Sequence, residues 1–283
     1  MKTSRFHKRK IYAIFFVALV LILLSALMIY QKQLKDGLPG VKPLIEVKRV
    51  SAKEIPLNGL LEIDLNVTAN FQNPFNPEEV DVVAIVTTES GREFEIPAFY
   101  YQDFGRKLED GKETLTPNGE PFWKVRFTPV EVGKHTVCIK LKDEGEIVTS
   151  GNLTFDVYQS NRLGFVEVSK TDRRFFQFTT GQSFFFIGHD VCWFGSRGTY
   201  DYDEWFSSMN LNGENITRIW MAPWAFGIEW KRLGHYDQVE AWRLDYVLKK
   251  AEEKGIYVIL CLMNHGQLQS DGLTGEWNDN PYN

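Results

Sequence analysis

The chain has 283 residues, of which 43% are hydrophobic and 24% charged, the balance of a globular protein and not of a disordered chain, a collagen or a coiled coil. A formal net charge of −5 speaks against a nucleic-acid partner, and three cysteines are too few for a disulfide scaffold. The departure from average is aromatic content, 14%. Seven of the eight tryptophans (Trp193, Trp205, Trp220, Trp224, Trp230, Trp242 and Trp277) follow residue 160.

Residues 1–10 form a basic tail with Lys2, Arg5, Lys8, Arg9 and Lys10 and no acid. Ile11–Tyr30 then runs twenty residues without a charge. As a helix it would measure about 30 Å, the thickness of a bilayer core. The positive-inside rule keeps the tail cytoplasmic and exports the rest. The expectation is a single-pass anchor in the cell membrane, with a cleaved signal and a secreted product as the alternative. Seven of the 32 basic residues and one of the 37 acidic ones lie in residues 1–36, which leaves −11 on residues 37–283. An acidic exported part suits neutral ligands, sugars among them.

Residues 31–43, with two glycines and two prolines, read as a linker. Residues 44–158 show short alternating segments between turn signals: Leu60–Val67, Val80–Thr87, Glu93–Ile96, Trp123–Phe127, His135–Leu141 and Leu153–Val157. About seven strands at this spacing predict an immunoglobulin-like β-sandwich. The pattern changes after Tyr158. Phe165–Val168 and Phe175–Phe178 are short strands, and Phe184–Val191 is a nearly continuous apolar run. A helix follows, capped by Asp201 with Glu204 three residues on, then a strand over Asn215–Ala222. Tyr236–Lys254 is a second helix, ended by Gly255, and Ile256–Met263 a third strand. Alternating strands and helices predict parallel βαβ units over residues 159–283.

In parallel α/β folds ligands sit at the C-terminal ends of strands, and the polar and aromatic residues gather there. His189, Asp190 and Trp193 follow the first strand, Arg218 and Trp224 lie in and after the second, and Asn264 and His265 follow the third, with Trp277 and Asn280 beyond. These nine are the candidate substrate-binding residues. Arg218 and Trp220 are two apart and share a strand face. No spacing of His or Cys supports a metal site, and no cofactor is expected. Trp205 and Trp242 fall on apolar helix faces and read as core.

The segments FFFIGHDVCWF, NITRIWMAPWAFGIEW, YDQVEAWRLDYVLKKAEEKGIYVILCLMNHGQ and WNDNPYN resemble the first three units of a (β/α)8-barrel glycoside hydrolase. The likeness is to the cellulase superfamily of retaining enzymes, in the subset whose barrel follows an immunoglobulin-like domain. Added to the transmembrane helix and β-sandwich read above, that resemblance makes the chain multidomain, with a partial TIM barrel over 159–283 that is incomplete after its third unit. It implies a poly- or oligosaccharide substrate and a two-carboxylate mechanism. The catalytic carboxylates are then expected beyond residue 283, after the fourth and seventh strands. The rival reading is a non-catalytic carbohydrate-binding surface protein.

Overall fold

The computed structural model describes residues 42–143, 145–272 and 275–283. Within them, Pro43–Asn283 form one compact unit. Its first part is a pair of sheets. One sheet has the order β1 (Leu44–Val50), β3 (Leu61–Thr68), β9 (Phe122–Phe127), β6 (Phe99–Tyr101). The other runs β2 (Glu54–Pro56), β12 (Leu153–Tyr158), β10 (Gly133–Asp143), β4 (Val80–Thr87), β5 (Glu93–Pro97), with β11 (Glu146–Thr149) pairing with β10.

Alternation builds the core between them. Val137, Ile139 and Leu141 of β10 are fully buried, facing Trp123, Val125 and Phe127 of β9. Each such side chain contributes roughly 1.5–3 kcal/mol by leaving water. A separate hairpin, β7 (Phe104–Glu109) and β8 (Lys112–Pro117), turns through Asp110-Gly111, both at positive φ. It lies outside both sheets and reaches the helical part of the chain.

The second part contains β13 (Val166–Val168), β14 (Phe176–Phe178) and β15 (Ser183–Phe184) in a small antiparallel sheet. Helix α1 (Tyr200–Leu211) buries Tyr202, Phe206 and Met209. The expected Asp201–Glu204 capping box does not form. Thr199 stands at the cap position, Asp201 accepts from the Gly195 N–H, and Glu204 pairs with Arg197. Strand β16 (Ile216–Trp220) leads to α2 (Gln238–Glu253), whose cap Asp237 accepts from the Val239 and Glu240 N–H groups. Gly255, at φ +69, ends the connection. Strand β17 (Tyr257–Cys261) then pairs with β16 in parallel.

Two sequence-based expectations are corrected by this architecture. The first is the partial TIM barrel. The described residues are mainly β, with two α-helices, and within residues 159–283 only β16 and β17 among them pair in parallel. The apolar run Phe184–Val191 does not enter as a strand. Its first residue turns back antiparallel on β14, and the rest lies beside β16, held largely through the side chains of Asn215 and Thr217. The second is the transmembrane placement. Among the described residues no helix is long and apolar enough to cross a membrane. Ile11–Tyr30, on which the membrane partner and the single-pass localisation rested, lies outside the described residues.

Candidate functional site

The site is built on the edge of β16. Asn215 clamps the passing segment: its N–H donates to Ile187 O (2.8 Å), its Oδ1 accepts from the Ile187 N–H (2.9 Å), and its Nδ2 donates to Phe185 O (2.9 Å). Thr217 continues the clamp, accepting from the Val191 N–H and donating to His189 O. The Trp220 N–H donates to Cys192 O at 3.0 Å. Gly188 makes this approach possible, since a Cβ there would fall 1.8 Å from Ile216 O. The clamp fixes the register that sets Asp190 against Arg218, Nη2 to Oδ2 at 2.5 Å. That hydrogen bond, and then the charge of Asp190, raises the Arg218 guanidinium above its ordinary value.

Tryptophans gather beside this ion pair. The Arg218 guanidinium lies 5.6 Å from the Trp220 ring centre. Trp220 packs against Trp193 at 5.4 Å and edge-on to His265 at 5.9 Å, and Trp193 meets Trp224 edge-on at 5.7 Å. Trp193 and Trp224 remain 43% and 49% exposed. Exposed indoles held in fixed orientation beside charged hydrogen-bonding groups can bind a ligand with one apolar face and several hydroxyls.

Asp190, Trp193, Arg218, Trp224 and His265 of the nine candidates are thus brought together, with Trp220 added. His189 is directed to Glu214, with Nδ1 2.6 Å from Oε2. Asn264 is buried and caps the short turn His265–Leu268, accepting from the Gly266 and Gln267 N–H groups. Its Nδ2 is buried with no hydrogen-bond partner. Asn280 is buried too, donating to Gln267 O and accepting from the Tyr282 N–H. Trp277 is partly exposed, and its N–H donates to Gln269 O. Asn264 and Asn280 therefore support the loops behind the cluster.

A cavity of about 370 Å³ adjoins the same loops, lined by Met221, Ile228, Trp230, Tyr236, Met263 and Tyr282 among others. Glu229 lines it as well, accepting from the Gly234 N–H at 2.6 Å and from the Tyr282 hydroxyl. The Glu229 hydrogen bond, followed by burial, pushes the Tyr282 phenol up to about 12. No group of three or more metal-ligating side chains occurs among the described residues.

Sequence reasoning missed the partner of Arg218 and the role of Asn215. It also missed a polar chain from the β7–β8 hairpin. Glu113 accepts from Arg243, Arg243 donates to Glu240, and Glu240 accepts from the Phe226 N–H in the loop that carries Trp224. Burial alone would lower the Arg243 guanidinium, but Glu240 and Glu113 together raise it.

A family described as a domain of unknown function (DUF5060) matches residues 58–142, less than a third of the chain. No curated protein matches the sequence. Among solved structures, a candidate glycoside hydrolase from Bacteroides vulgatus ATCC 8482 is similar at 14% identity and a TM-score of 0.55, over 75% of this chain and 41% of that one. That likeness is one of fold. This chain spans about two fifths of the length of that structure. A family 39 glycoside hydrolase from Bacteroides cellulosilyticus WH2 is similar at 12% identity, over 76% of this chain and 33% of that one, with a TM-score of 0.23. A Bacteroides ovatus GH5 xyloglucanase in complex with a XXXG heptasaccharide is similar at 11% identity, over 77% and 45%, also with a TM-score of 0.23. Scores that low carry no argument about fold.

Proposed function

We propose that the Trp193–Trp220–Trp224 cluster, with Arg218, Asp190 and His265, binds neutral sugar rings as part of a glycoside hydrolase. The observation that carries this is the pair of half-exposed indoles fixed beside a charged hydrogen-bonding pair. The C–H face of a pyranose is apolar and stacks on indole, while its hydroxyls need donors such as the Arg218 guanidinium and acceptors such as Asp190. The acidic balance of residues 37–283 favours a neutral ligand over an anionic one. The likeness of fold to a candidate glycoside hydrolase favours the same substrate class.

The reaction proposed for the whole protein is retaining hydrolysis, with one carboxyl protonating the leaving oxygen and a second attacking the anomeric carbon. The residues around the cluster supply binding and orientation. One observation favours a non-catalytic reading as the second choice. Asp190 is tied to Arg218 and Glu229 to Tyr282 and the Gly234 N–H, so these two carboxylates near the site are already engaged.

The test is an array of neutral plant and microbial oligosaccharides, scored for binding and for reducing-end release by the full-length protein. Release with retained anomeric configuration supports the enzyme. Binding without release supports the second reading. Neither binding nor release would remove both.

A further inference from the structure

Three ion-pair systems join the sandwich part to the helices. Arg126 links Glu62 on β3 to Asp245 on α2. Arg106 lies between the rings of Tyr200 and Tyr246 and pairs with Asp203. The third starts at Glu113 on β8, whose side chain is 1% exposed. Its Oε1 accepts from the Thr199 N–H at 3.0 Å and from the Thr199 hydroxyl. Its Oε2 accepts from Arg243 Nε at 2.8 Å. Arg243 Nη1 donates to Glu240 Oε1 at 2.5 Å, and Glu240 Oε2 accepts from the Phe226 N–H at 2.8 Å.

This third system differs from the others in where it ends. Phe226 is two residues after Trp224 and has φ +59, a left-handed conformation that a bulky residue adopts only when its surroundings enforce it. The Glu240 carboxylate takes the N–H of that residue. Phe226 is fully buried, edge-on to Phe194 at 5.1 Å, and the Arg243 guanidinium lies 5.3 Å from the Phe194 ring centre. Phe194 directly follows Trp193. The same arginine therefore touches the supports of both exposed indoles.

We propose that Glu113 is a positioning residue: through Arg243 and Glu240 it lets the sandwich hairpin set the loops that hold Trp224 and Trp193. The sandwich part then contributes to the site without touching the ligand. A buried carboxylate is needed at its head. With Glu113 replaced by its amide, a single acceptor oxygen remains for Thr199 and Arg243 together and the charge facing Arg243 is gone, so Arg243 rests more heavily on Glu240, whose hold on the Phe226 N–H changes with it. The Glu240 carboxylate is the side chain that fastens the Phe226 N–H of the loop's left-handed turn. The inference concerns the surface read above as a sugar site, but the geometry of that surface can be measured without any ligand.

The experiment follows the indole N–H cross-peaks of the 15N-labelled full chain, with Trp193 and Trp224 identified by single substitution to Phe. Glu113→Gln and Glu240→Gln are compared with Arg126→Gln, which breaks a sandwich–helix ion pair off this path. The expected result is that Glu113→Gln and Glu240→Gln both displace the Trp193 and Trp224 peaks, and that the double variant moves them no further than one alone. Arg126→Gln lowers the melting temperature and leaves both peaks in place. Peaks unmoved by Glu113→Gln, or moved as far by Arg126→Gln, would overturn the proposal. If Glu113→Gln does not fold, Glu240→Gln against Arg126→Gln decides by the same criterion. Loss or retention of sugar binding in Trp224→Ala tests the ligand reading separately from this one.

Discussion

The two parts of the chain bury their strands by different means. In the sandwich, neighbouring strands exchange backbone hydrogen bonds in register, and inward side chains meet a second sheet. Beside β16, the neighbouring segment is held largely by the side chains of Asn215 and Thr217, and Phe185, Phe186 and Ile187 remain exposed. The same apolar residue type thus means core in one region and surface in the other. Where the backbone ladder is incomplete, single side chains carry the register, and with it the placement of Asp190 against Arg218.

That contrast can be broken most severely at Gly188. Gly188→Ala forces a Cβ onto the Ile216 carbonyl and is expected to cost at least about 4 kcal/mol or prevent folding. Gly105→Ala in the sandwich hairpin meets only Thr116 O at 3.9 Å, and is expected to stay within about 0.5 kcal/mol. Urea denaturation of the pair measures both. Next in size is Ile139→Ala in the sandwich core, about 3 kcal/mol, against less than about 0.5 kcal/mol for Ile259→Ala on the exposed face of β17. Equal losses would show that the two faces are alike. Asn215→Ala removes one donor and one acceptor from the clamp and should cost about 2 kcal/mol. It should also speed hydrogen exchange at the Ile187 amide.

The smallest effect concerns acid. Burial alone would raise the Glu62 carboxyl, but its hydrogen bond to Arg126, with Lys124 beside it, holds the group below its ordinary value of 4.5. Stability from Glu62 is therefore fully present above about pH 4.5 and lost as pH falls through the lowered folded value. Glu62→Gln should cost about 1 kcal/mol at neutral pH and shrink that acid-dependent loss. An unchanged slope of stability against pH below 4.5 would rule out this link.

The same contrast explains what could be read in advance. Antiparallel strands declared themselves by alternation: Val80–Thr87 forms as expected, and Trp123, Val125 and Phe127 share a buried face. The β7–β8 hairpin escaped because its important side chains, Arg106 and Glu113, are polar and serve contacts distant in sequence. Its Asp110-Gly111 turn was the available signal. At the site, period two correctly set Arg218 and Trp220 side by side. The partner Asp190 lies 28 residues away, and its position depends on a register fixed by Asn215, which no local pattern reveals. Asn264 and Asn280 have the composition of a binding site and the geometry of loop supports. Residue type alone does not separate those roles.

The central claim is that the exposed indoles form a sugar-binding surface. It is tested most directly by titrating the full chain and its Trp224→Ala variant with the best-binding neutral oligosaccharide, following heat release and tryptophan emission. The expected result is saturable binding with a change in emission, weakened at least about tenfold in Trp224→Ala at an unchanged melting temperature. Binding of equal strength in the variant, or no binding of any neutral oligosaccharide by the full chain, would contradict it.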